Sequence, residues 1–470
     1  MNTQSSNTPF QLSGNPILNV DSYKTSHYLQ YPPGTSHISS YIECRGGEFS
    51  AAMFFGLQAF IKQYLSVPVC TYQVDEAEDI LKSHGLPFNR DGWTHIVSSH
   101  KGFLPIEITA VEEGQVIPVK NVMAQVVNTC PTCFWLTTYI ETALLRSIWY
   151  PSTVATQSRE IKKIISKYLF ETADSQNNLE LRLHDFGARG ASSLETAMLG
   201  GMAHLVNFKG TDTISGILAA NKFYSATRPG FSIPAAEHST IIAWGQENEE
   251  EAYLNILNQF SGNKKTVAVV SDSYDLWNAI ENIWGKKLKN QIIHSGGTLV
   301  IRPDSGDPEK IVVDTVERLM RIFGSEINKK GYRVLPPFIR VIQGDGITRF
   351  TIPKILQAMK ENKQSTENLT FGMGGGLLQK VDRDLIGFAM KASAICINGT
   401  WYDIFKDPRT GPEKKSKGGR LALIRKSDGS FQTLKQSELK QDTSLLKPVY
   451  RDGILLKDIT FDEVRRNAAI

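Results

Sequence analysis

Cysteine is scarce in this chain of 470 residues, which contains only five. They are Cys44, Cys70, Cys130, Cys133 and Cys396, an odd and widely spaced set that does not suggest a disulfide framework. We therefore expect free thiols and a reducing, cytoplasmic environment. One pair, Cys130-Pro-Thr-Cys133, matches the C-x-x-C pattern, but no second cysteine pair is present to complete a zinc site. Buried structural cysteines are the favoured interpretation, and redox chemistry is the alternative.

A strong charge excess and long apolar runs are also lacking. The 52 lysines and arginines nearly balance 48 acidic residues, and a net charge of +4 does not by itself indicate a nucleic-acid partner. No apolar stretch approaches the roughly 20 residues of a membrane-spanning helix. Residues 1–15 are polar and lack the apolar core of a signal peptide. These absences predict a globular cytoplasmic protein that binds neither nucleic acid nor membrane.

The recurring pattern in the chain is a short apolar run that ends in polar or glycine residues. In the clearest example, Leu299–Ile301 has no polar face, as expected of a strand buried on both sides, and the turn residues Arg302–Gly306 end it. Six further runs of this kind occur at Leu181–Leu183, Leu205–Phe208, Phe231–Ile233, Val267–Val270, Ile339–Ile342 and Leu369–Phe371.

Amphipathic helical spacing separates most of these runs, and this alternation decides the predicted fold class. It predicts an irregular TIM-like α/β barrel over residues 176–384, with an open doubly wound sheet as the alternative. Residues 1–175 and 385–470 are then predicted to form a second, mixed α+β domain built from both ends of the chain.

The ends of the predicted strands carry charged residues and glycines. Both architectures place the active site at the carboxyl ends of the strands. The residues expected there are cations (Arg189, His238, Arg302, Arg383), carboxylates (Asp212, Asp272, Asp304, Asp345) and the cluster Gly372–Gly376. Glycine N–H groups and arginines bind phosphate oxygens, and magnesium takes one or two carboxylates together with substrate phosphates. Each residue alone is compatible with a structural role, but together they predict a site for a phosphorylated sugar with a magnesium-bound leaving group.

Two loop-rich segments outside the predicted barrel have two interpretations each. Residues 16–46 contain Asp21, Tyr23 and Arg45 around a Pro-Pro-Gly turn, and these are either surface residues or binding residues. Residues 406–420 carry six lysines and arginines, beginning with Lys406, among glycines and prolines. Such a run is typical of a solvated basic loop and is also suited to binding phosphate.

Nine motifs, spread over almost the whole chain, together carry a family resemblance. They are Asp21–Lys24, Tyr31–Pro33, His184–Gly187, His204–Thr213, Pro234–Thr240, Val270–Asp275, Ile301–Gly306, Val341–Gly346 and Gly374–Lys380. In this order they resemble the nicotinamide phosphoribosyltransferases, which are type II phosphoribosyltransferases. The resemblance implies transfer of the 5-phosphoribosyl group from 5-phosphoribosyl-1-diphosphate to nicotinamide, giving nicotinamide mononucleotide and diphosphate, in NAD salvage.

The resemblance also implies residue roles. Phe186 is expected to stack on the nicotinamide ring, with Tyr23 from across a subunit interface on its other face. Asp212 is expected to accept a hydrogen bond from the carboxamide nitrogen, and Arg302 to approach the carboxamide oxygen. Diphosphate is expected to contact Arg189, His238 and Arg302. Ribose and phosphate are expected to contact Asp304, Gly344, Asp345, Gly374 and Gly375. Segments of the partner subunit are expected to add substrate contacts from Asp21, Arg45, Arg383, Lys391 and Lys406. His238, Asp304, Asp212 and Arg302 are the implied catalytic residues.

Cofactors and assembly follow from the same resemblance. Magnesium is expected with Asp272 and Asp304 as its protein ligands. ATP is expected to act as a coupled substrate that phosphorylates His238 and drives the reaction forward. The family members are homodimers with active sites at the interface, and the same is expected here.

The chain departs from the vertebrate family members at three positions near the expected site. Ala188 stands in place of a tyrosine, and Ala268 and Ala389 each stand in place of a serine. Two alternative functions remain open. One is a nicotinate phosphoribosyltransferase, an enzyme of the same architecture, and the other is a non-catalytic extracellular ligand.

Overall fold

The computed structural model describes residues 14–411, 414–439 and 444–469. Its α-helices, in chain order, are α1 (Leu57–Phe60), α2 (Thr71–Ser83), α3 (Arg90–Ser99), α4 (Leu136–Tyr139), α5 (Glu141–Thr172), α6 (Leu194–His204), α7 (Ile214–Tyr224), α8 (His238–Ile242), α9 (Glu249–Phe260), α10 (Leu276–Asn278), α11 (Lys289–His294), α12 (Pro308–Phe323), α13 (Thr351–Glu361), α14 (Gly375–Leu378) and α15 (Phe461–Asn467).

The strands, in chain order, are β1 (Thr35–Cys44), β2 (Ala51–Met53), β3 (Ile106–Ala110), β4 (Val116–Pro118), β5 (Val122–Asn128), β6 (Leu183–Asp185), β7 (Gly210–Thr211), β8 (Thr266–Val270), β9 (Thr298–Arg302), β10 (Glu326–Ile327), β11 (Arg333–Val334), β12 (Ile339–Gln343), β13 (Leu369–Met373), β14 (Phe388–Ile397), β15 (Thr400–Asp403), β16 (Leu421–Arg425), β17 (Phe431–Lys435), β18 (Lys447–Arg451) and β19 (Ile454–Leu455).

The chain divides into two compact units. The first unit comprises Met1–Trp149 and Arg383–Ile459, and the second comprises Tyr150–Asp382 and Thr460–Ile470. Both ends of the chain thus contribute to the first unit, but the boundaries differ from the expected 175/176 and 384/385. Within the second unit, the later part of α5 is tied to its neighbours by a hydrogen bond from Asn207 Nδ2 to Ala155 O, 3.0 Å long. The last helix also packs in this unit, because Arg465 in α15 donates to Leu205 O.

The first unit is built on an antiparallel sheet of seven strands in the order β15-β14-β1-β5-β3-β18-β19. In β3, burial alternates strictly between the two faces, as expected for a strand with one face on a core. In β1, by contrast, the seven residues Ile38–Cys44 are all buried. Strand β14, which follows the barrel segment in sequence, pairs with β1, so the sheet joins the two ends of the chain.

The second unit contains a parallel sheet of six strands in the order β7-β6-β13-β12-β9-β8. Residues 231–235 form isolated parallel bridges with both edges, from Phe231 to Gly210 of β7 and from Ala235 to Ala268 of β8. The sheet therefore curls into an irregular barrel, which confirms the predicted α/β fold class. Strand β8, at one edge of this sheet, and its neighbour β9 have buried apolar interiors, the pattern from which the barrel was predicted.

Three of the seven predicted strands are displaced or incomplete. Leu205–Phe208 is wrong as a strand, because Leu205 N donates to Gly201 O and Phe208 N to His204 O, so helical turns extend beyond α6. The strand that follows is the short β7. Leu181 ends a 3₁₀ turn before β6, and Phe231–Ile233 contributes one bridge rather than a full ladder. A short apolar run is ambiguous between a strand and a buried helix end, and this ambiguity caused the errors.

No described helix is both long and apolar enough to cross a membrane.

Candidate active site

Six site residues follow directly from the parallel strands of the second unit. Phe186 follows β6, Asp212 follows β7, Asp272 lies two residues beyond β8, Arg302 ends β9, Gly344 follows β12 and Gly374 follows β13. Because the strands are parallel, their carboxyl ends lie at one edge of the sheet. The sequence prediction that these residues share one end of the barrel therefore agrees with the topology.

Hydrogen bonds made by the residues on either side of Phe186 and by its own N–H fix the backbone that carries the aromatic ring. Buried Asp185 accepts hydrogen bonds from Gly187 N at 2.7 Å and from Thr211 Oγ1 at 3.3 Å. Phe186 N donates to Met373 O at 3.0 Å. The ring lies over Gly372, where an added Cβ would come within 1.9 Å of Phe186 Cε2. Gly372 is therefore needed to make room for the aromatic ring.

Asp212 is held with one carboxylate oxygen already occupied. Its Oδ1 lies 2.9 Å from His184 Nε2 and also accepts a hydrogen bond from Ser232 Oγ. Partial burial opposes ionisation, but the hydrogen bonds from His184 and Ser232 and the nearby charge of Arg302 lower the pKa of Asp212 below its ordinary value. The carboxylate is therefore charged at neutral pH and acts as a hydrogen-bond acceptor.

Arg302 connects the aromatic ring with an acidic residue. Its Nε and Nη2 bind the two oxygens of Asp304 at 2.9 and 2.7 Å, a bidentate pair in which neither side chain is fully exposed. Its guanidinium carbon also lies 5.4 Å from the centroid of Phe186. These two contacts fix a cation beside the ring.

His238 begins α8 and forms the second histidine–carboxylate pair of this edge. Its Nε2 lies 3.0 Å from Asp272 Oδ1, and the Asp272 side chain is only 6% exposed whereas that of His238 is 45% exposed. An acidic partner on one ring nitrogen favours the tautomer that leaves a lone pair on the other. Nδ1 of an exposed histidine is then available as a nucleophile.

A cavity of about 340 Å³ opens inside the barrel beside these residues. Phe186, Asp212, His184 and Ser232 contribute to its lining, and Thr266 and Thr298 line it where β8 and β9 begin. Between them, Ala268, Val300 and Ile342 form a small apolar cluster against which Phe186 packs. The volume lies within the range of small-molecule sites, and the lining combines an aromatic face with a few polar groups.

The other predicted residues of this unit lie near the same edge. Arg189 is exposed in a 3₁₀ turn after Phe186, and Asp345 is exposed after Gly344. Gly375 begins α14 directly beyond Gly374, and Gly190 approaches it closely, since a Cβ there would lie 3.2 Å from Gly375 Cα. The glycine cluster thus stands at a strand end with its backbone near a second loop.

Six predicted residues belong to the first unit. Asp21 Oδ2 accepts a hydrogen bond from Thr142 Oγ1 at 2.6 Å, and Tyr23 is 58% exposed. Lys391 in β14 pairs in register with Tyr41 of β1. Burial lowers the pKa of Lys391, the negative charge of Glu141 offsets part of this effect, and the nearby charges of Arg45 and Arg383 lower the pKa further. Arg45, Arg383 and Lys391 are therefore near one another, while Lys406 lies in the exposed segment after β15.

Asp272 and Asp304 are the candidates for holding a metal ion. Asp304 is engaged by Arg302 through both oxygens, and Asp272 shares one oxygen with His238. Among the residues that the structure describes, the one group of three or more possible His, Cys or carboxylate ligands lies in the first unit. These two aspartates therefore suit an ion that takes most of its ligands from substrate phosphates, as magnesium does.

Sequence reasoning missed His184 and Ser232 as site residues. Both bind Asp212, and His184 also approaches the Phe186 ring with 5.1 Å between centroids. The period of two along a strand would have found His184, since it shares a face with Phe186 two residues later. No comparable signal marks Ser232, which lies beside β7 only because the 231–235 segment bridges it.

Comparisons with known proteins agree with this geometry. A model of the nicotinamide phosphoribosyltransferase N-terminal domain matches residues 15–108, and a model of the nicotinate phosphoribosyltransferase (NAPRTase) family matches residues 181–453. The protein named nicotinamide phosphoribosyltransferase from Xanthomonas campestris pv. campestris is 48% identical over 97% of this chain and 98% of its own length. The chain belongs to the nicotinamide phosphoribosyltransferase family.

Another relative and two solved structures extend this picture. The nicotinamide phosphoribosyltransferase of Acinetobacter baylyi is 33% identical over 97% of both chains. Nicotinate-nucleotide pyrophosphorylase from Pyrococcus furiosus has a TM-score of 0.64 at 14% identity, over 98% of this chain and 97% of its own. Human nicotinic acid phosphoribosyltransferase has a TM-score of 0.62 at 15% identity, over 95% and 92%. The nicotinamide phosphoribosyltransferase family thus shares its fold with enzymes named for the acid.

Proposed function

We propose that this enzyme transfers the 5-phosphoribosyl group from 5-phosphoribosyl-1-diphosphate to nicotinamide, giving nicotinamide mononucleotide and diphosphate in NAD salvage. The observation that carries the proposal is the ionised Asp212 beside the Phe186 ring, within the barrel cavity. Family membership supports the reaction class, and this carboxylate supports the amide as its substrate.

Recognition of the base uses the opposite hydrogen-bonding roles of Asp212 and Arg302. A primary carboxamide offers N–H donors to an ionised carboxylate and an oxygen acceptor to a guanidinium. Phe186 provides the flat face on which the pyridine ring stacks. Nicotinate would instead bring a second negative charge to Asp212. At a separation of about 4 Å and an effective dielectric of about 20, the repulsion is roughly 4 kcal/mol, equivalent to about a thousandfold discrimination.

Charge development explains the remaining residues at the barrel edge. Breaking the anomeric bond places positive character on the ribose and negative charge on diphosphate. Arg189, His238 and Arg302 are proposed to bind the diphosphate, so that preorganised donors stabilise this charge as it forms. Asp304, Gly344, Asp345, Gly374 and Gly375 are proposed to hold ribose and phosphate. The ring nitrogen of nicotinamide is already nucleophilic, so positioning contributes more than a general base.

A magnesium ion fits the donor set of Asp272 and Asp304. When bound with the substrate, it would neutralise charge on the leaving diphosphate. The ion is proposed to use oxygen ligands from these two aspartates and from phosphate, since magnesium usually takes one or two protein carboxylates together with substrate phosphates.

The residues of the first unit are proposed to complete the site in a homodimer. The exposed Tyr23 would cover the second face of the nicotinamide ring across a twofold interface. Asp21, Arg45, Arg383, Lys391 and Lys406 would accompany it as substrate contacts. Exposure of a large aromatic ring and a gathering of cations near Lys391 support this proposal.

ATP is proposed to couple to the reaction through phosphorylation of His238. The geometry that supports it is the Nε2 contact with Asp272, which leaves Nδ1 of an exposed histidine as the phosphoryl acceptor. The resulting negative group would lie beside the cationic residues that bind diphosphate.

The experiment that tests the function measures product formation by purified protein with nicotinamide and nicotinate, separately and in competition. Nicotinamide should be preferred by roughly a thousandfold in kcat/KM. Asp212→Asn should reduce this ratio by at least tenfold, because the neutral amide removes the repulsion. Asp345→Asn is the matched control: it changes a carboxylate of the same edge without a proposed contact to the base, so the ratio should stay constant.

Three results would contradict the proposal. Equal use of nicotinamide and nicotinate would contradict the proposed preference for the amide. An unchanged kcat/KM ratio in Asp212→Asn would show that Asp212 does not determine the choice of base. Absence of transfer to either base in folded protein favours the non-catalytic ligand.

A further inference from the structure

Four potential metal ligands meet in the first unit, on elements that carry none of the proposed substrate contacts. They are His95 in α3, His100 directly after it, and Cys130 and Cys133 in the turn that follows β5. The metal-binding atoms of all four side chains lie within 4.8 Å of one another. Cys130 Sγ lies 3.5 Å from His95 Nε2.

The surrounding structure holds these two segments together independently of the ligands. Trp93, two residues before His95, packs edge-on against Trp135, two residues after Cys133, with 5.1 Å between ring centroids. The Asn128 side chain donates to Cys130 O at 2.8 Å. Within the turn, Cys133 N donates to Cys130 O at 3.0 Å. The ligand backbones are therefore positioned by packing and hydrogen bonds.

The distances suit a tetrahedral zinc ion. Zinc binds cysteine sulfur at about 2.3 Å and histidine nitrogen at about 2.0–2.1 Å, which separates the ligand atoms of a tetrahedron by about 3.3–3.8 Å. The 4.8 Å limit exceeds this by only about 1 Å, a difference that side-chain rotation covers. His95 Nδ1 is hydrogen-bonded to Ser99 Oγ at 3.2 Å, which leaves Nε2 directed at the thiol. Such an outer hydrogen bond is the usual way to orient a metal-binding histidine.

Sequence analysis did not identify this arrangement, because the second pair of candidate ligands consists of histidines and not cysteines. The C-x-x-C pair alone favoured buried structural thiols, and the two histidines are separated from it by some thirty residues. Two thiolates and two neutral imidazoles neutralise a divalent ion, so such a site is stable when partly buried. With four protein ligands the coordination sphere is closed, which points to a structural rather than a catalytic metal.

We propose that His95, His100, Cys130 and Cys133 form a Cys₂His₂ structural zinc site that fastens α3 to the end of β5. The proposal is independent of the transferase reaction.

The first experiment measures zinc in the full-length protein, purified without a metal-affinity tag and dialysed against metal-free buffer. Wild type should retain about one zinc per chain, and the double variant Cys130→Ser/Cys133→Ser should retain less than about a tenth of that. Cys70→Ser is the matched control, since Cys70 is an exposed free cysteine outside the cluster. His84→Asn is the corresponding control for an exposed histidine, and both controls should bind zinc like wild type. If wild-type protein still contains no bound zinc after incubation with an equimolar zinc salt, the proposal is overturned.

A second measurement uses wild type alone and does not depend on how the variants fold. Zinc is removed with a chelator and cobalt(II) is added in equimolar amount. Two thiolate ligands in a tetrahedral site should give thiolate-to-cobalt charge transfer in the near ultraviolet together with intense visible d–d bands. Weak octahedral bands without charge transfer overturn the proposal.

A thiol count distinguishes the site from a disulfide. Protein purified without reductant and then unfolded with chelator should show all five cysteines as free thiols. A count of three, which is the five cysteines less the Cys130–Cys133 pair, identifies a disulfide and overturns the zinc site.

Discussion

Replacing Gly372 with alanine tests whether the position of the Phe186 ring controls nicotinamide binding. The new Cβ would lie 1.9 Å from Phe186 Cε2 and 2.3 Å from Cδ2, far inside van der Waals contact. The backbone cannot easily yield, because Gly372 pairs in register with His184 in the interior of the parallel sheet. The aromatic ring must therefore leave its place, while the Gly372 backbone and the neighbouring Asp212 keep theirs.

The magnitude follows from the loss of one stacking face. Stacking of a heteroaromatic base on an aromatic side chain contributes about 1–3 kcal/mol. This corresponds to an increase of about 5- to 160-fold in the KM for nicotinamide when binding precedes slow chemistry. The KM for 5-phosphoribosyl-1-diphosphate should change much less, because none of its proposed contacts uses the Phe186 ring.

A double-mutant cycle separates this mechanism from general damage. We expect Gly372→Ala and Phe186→Ala each to raise the nicotinamide KM, and Gly372→Ala to add little in the Phe186→Ala background, where the ring it displaces is gone. The assay is steady-state kinetics with each substrate varied, accompanied by thermal unfolding of every variant. Wild-type nicotinamide KM in Gly372→Ala, or full additivity in the double variant, would refute the reasoning.

Three further outcomes are expected. His238→Ala should lose ATP hydrolysis and ATP stimulation together while some ATP-independent transfer survives; undiminished stimulation in an assay with and without ATP contradicts the proposed phosphoryl acceptor. Tyr23→Ala and Asp212→Ala homodimers should both be severely impaired. Refolding an equal mixture of the two variants should restore about a quarter of wild-type activity, since half the dimers are heterodimers and each of these carries one intact site. Heterodimers that form without restored activity exclude a shared site. Burial lowers the pKa of His204 to about 4. Protonation of His204 in the unfolded chain should therefore reduce the free energy of unfolding by up to about 3 kcal/mol as pH falls from about 6.5 to 4. Denaturant titrations should show a smaller loss of stability in His204→Gln, and an equal loss contradicts this assignment.

The parallel strands with wholly apolar interiors were the most predictable part of the fold. Val267–Val270 and Leu299–Ile301 lack a polar face because helices or other residues cover both sides, and such runs have few alternatives. Leu205–Phe208 looks similar in sequence but satisfies its backbone with helical hydrogen bonds from the preceding turn. Local composition does not distinguish these outcomes, since the deciding contacts are tertiary.

The candidate site was predictable where a residue comes just after a strand that its apolar run identifies, as with Phe186 and Gly344. Asp212 was predicted to follow the run Leu205–Phe208, which is helical, whereas the strand that it follows is the short β7. The partners of these residues were less predictable. Ser232 reaches Asp212 through a segment that only bridges the sheet, and the Asp272–His238 pair depends on how α8 begins. Such pairings arise from register and loop path, which residue spacing does not encode.

The segment at residues 231–235 closes the barrel between β7 and β8, and we call this closure the seam. The seam is expected to open locally at a lower free-energy cost than the strands. Elsewhere a strand is held by continuous ladders, but here closure rests on hydrogen bonds such as those from Phe231 N to Lys209 O and from Ala268 N to Pro234 O. Local opening begins where the fewest bonds must break, so the amide of Phe231 should exchange with solvent ahead of those in β9. The same segment carries Ser232 and leads to His238. A substrate that engages both Asp212 and His238 would therefore close the seam, and slowed amide exchange there would report binding far more directly than the rigid strands could.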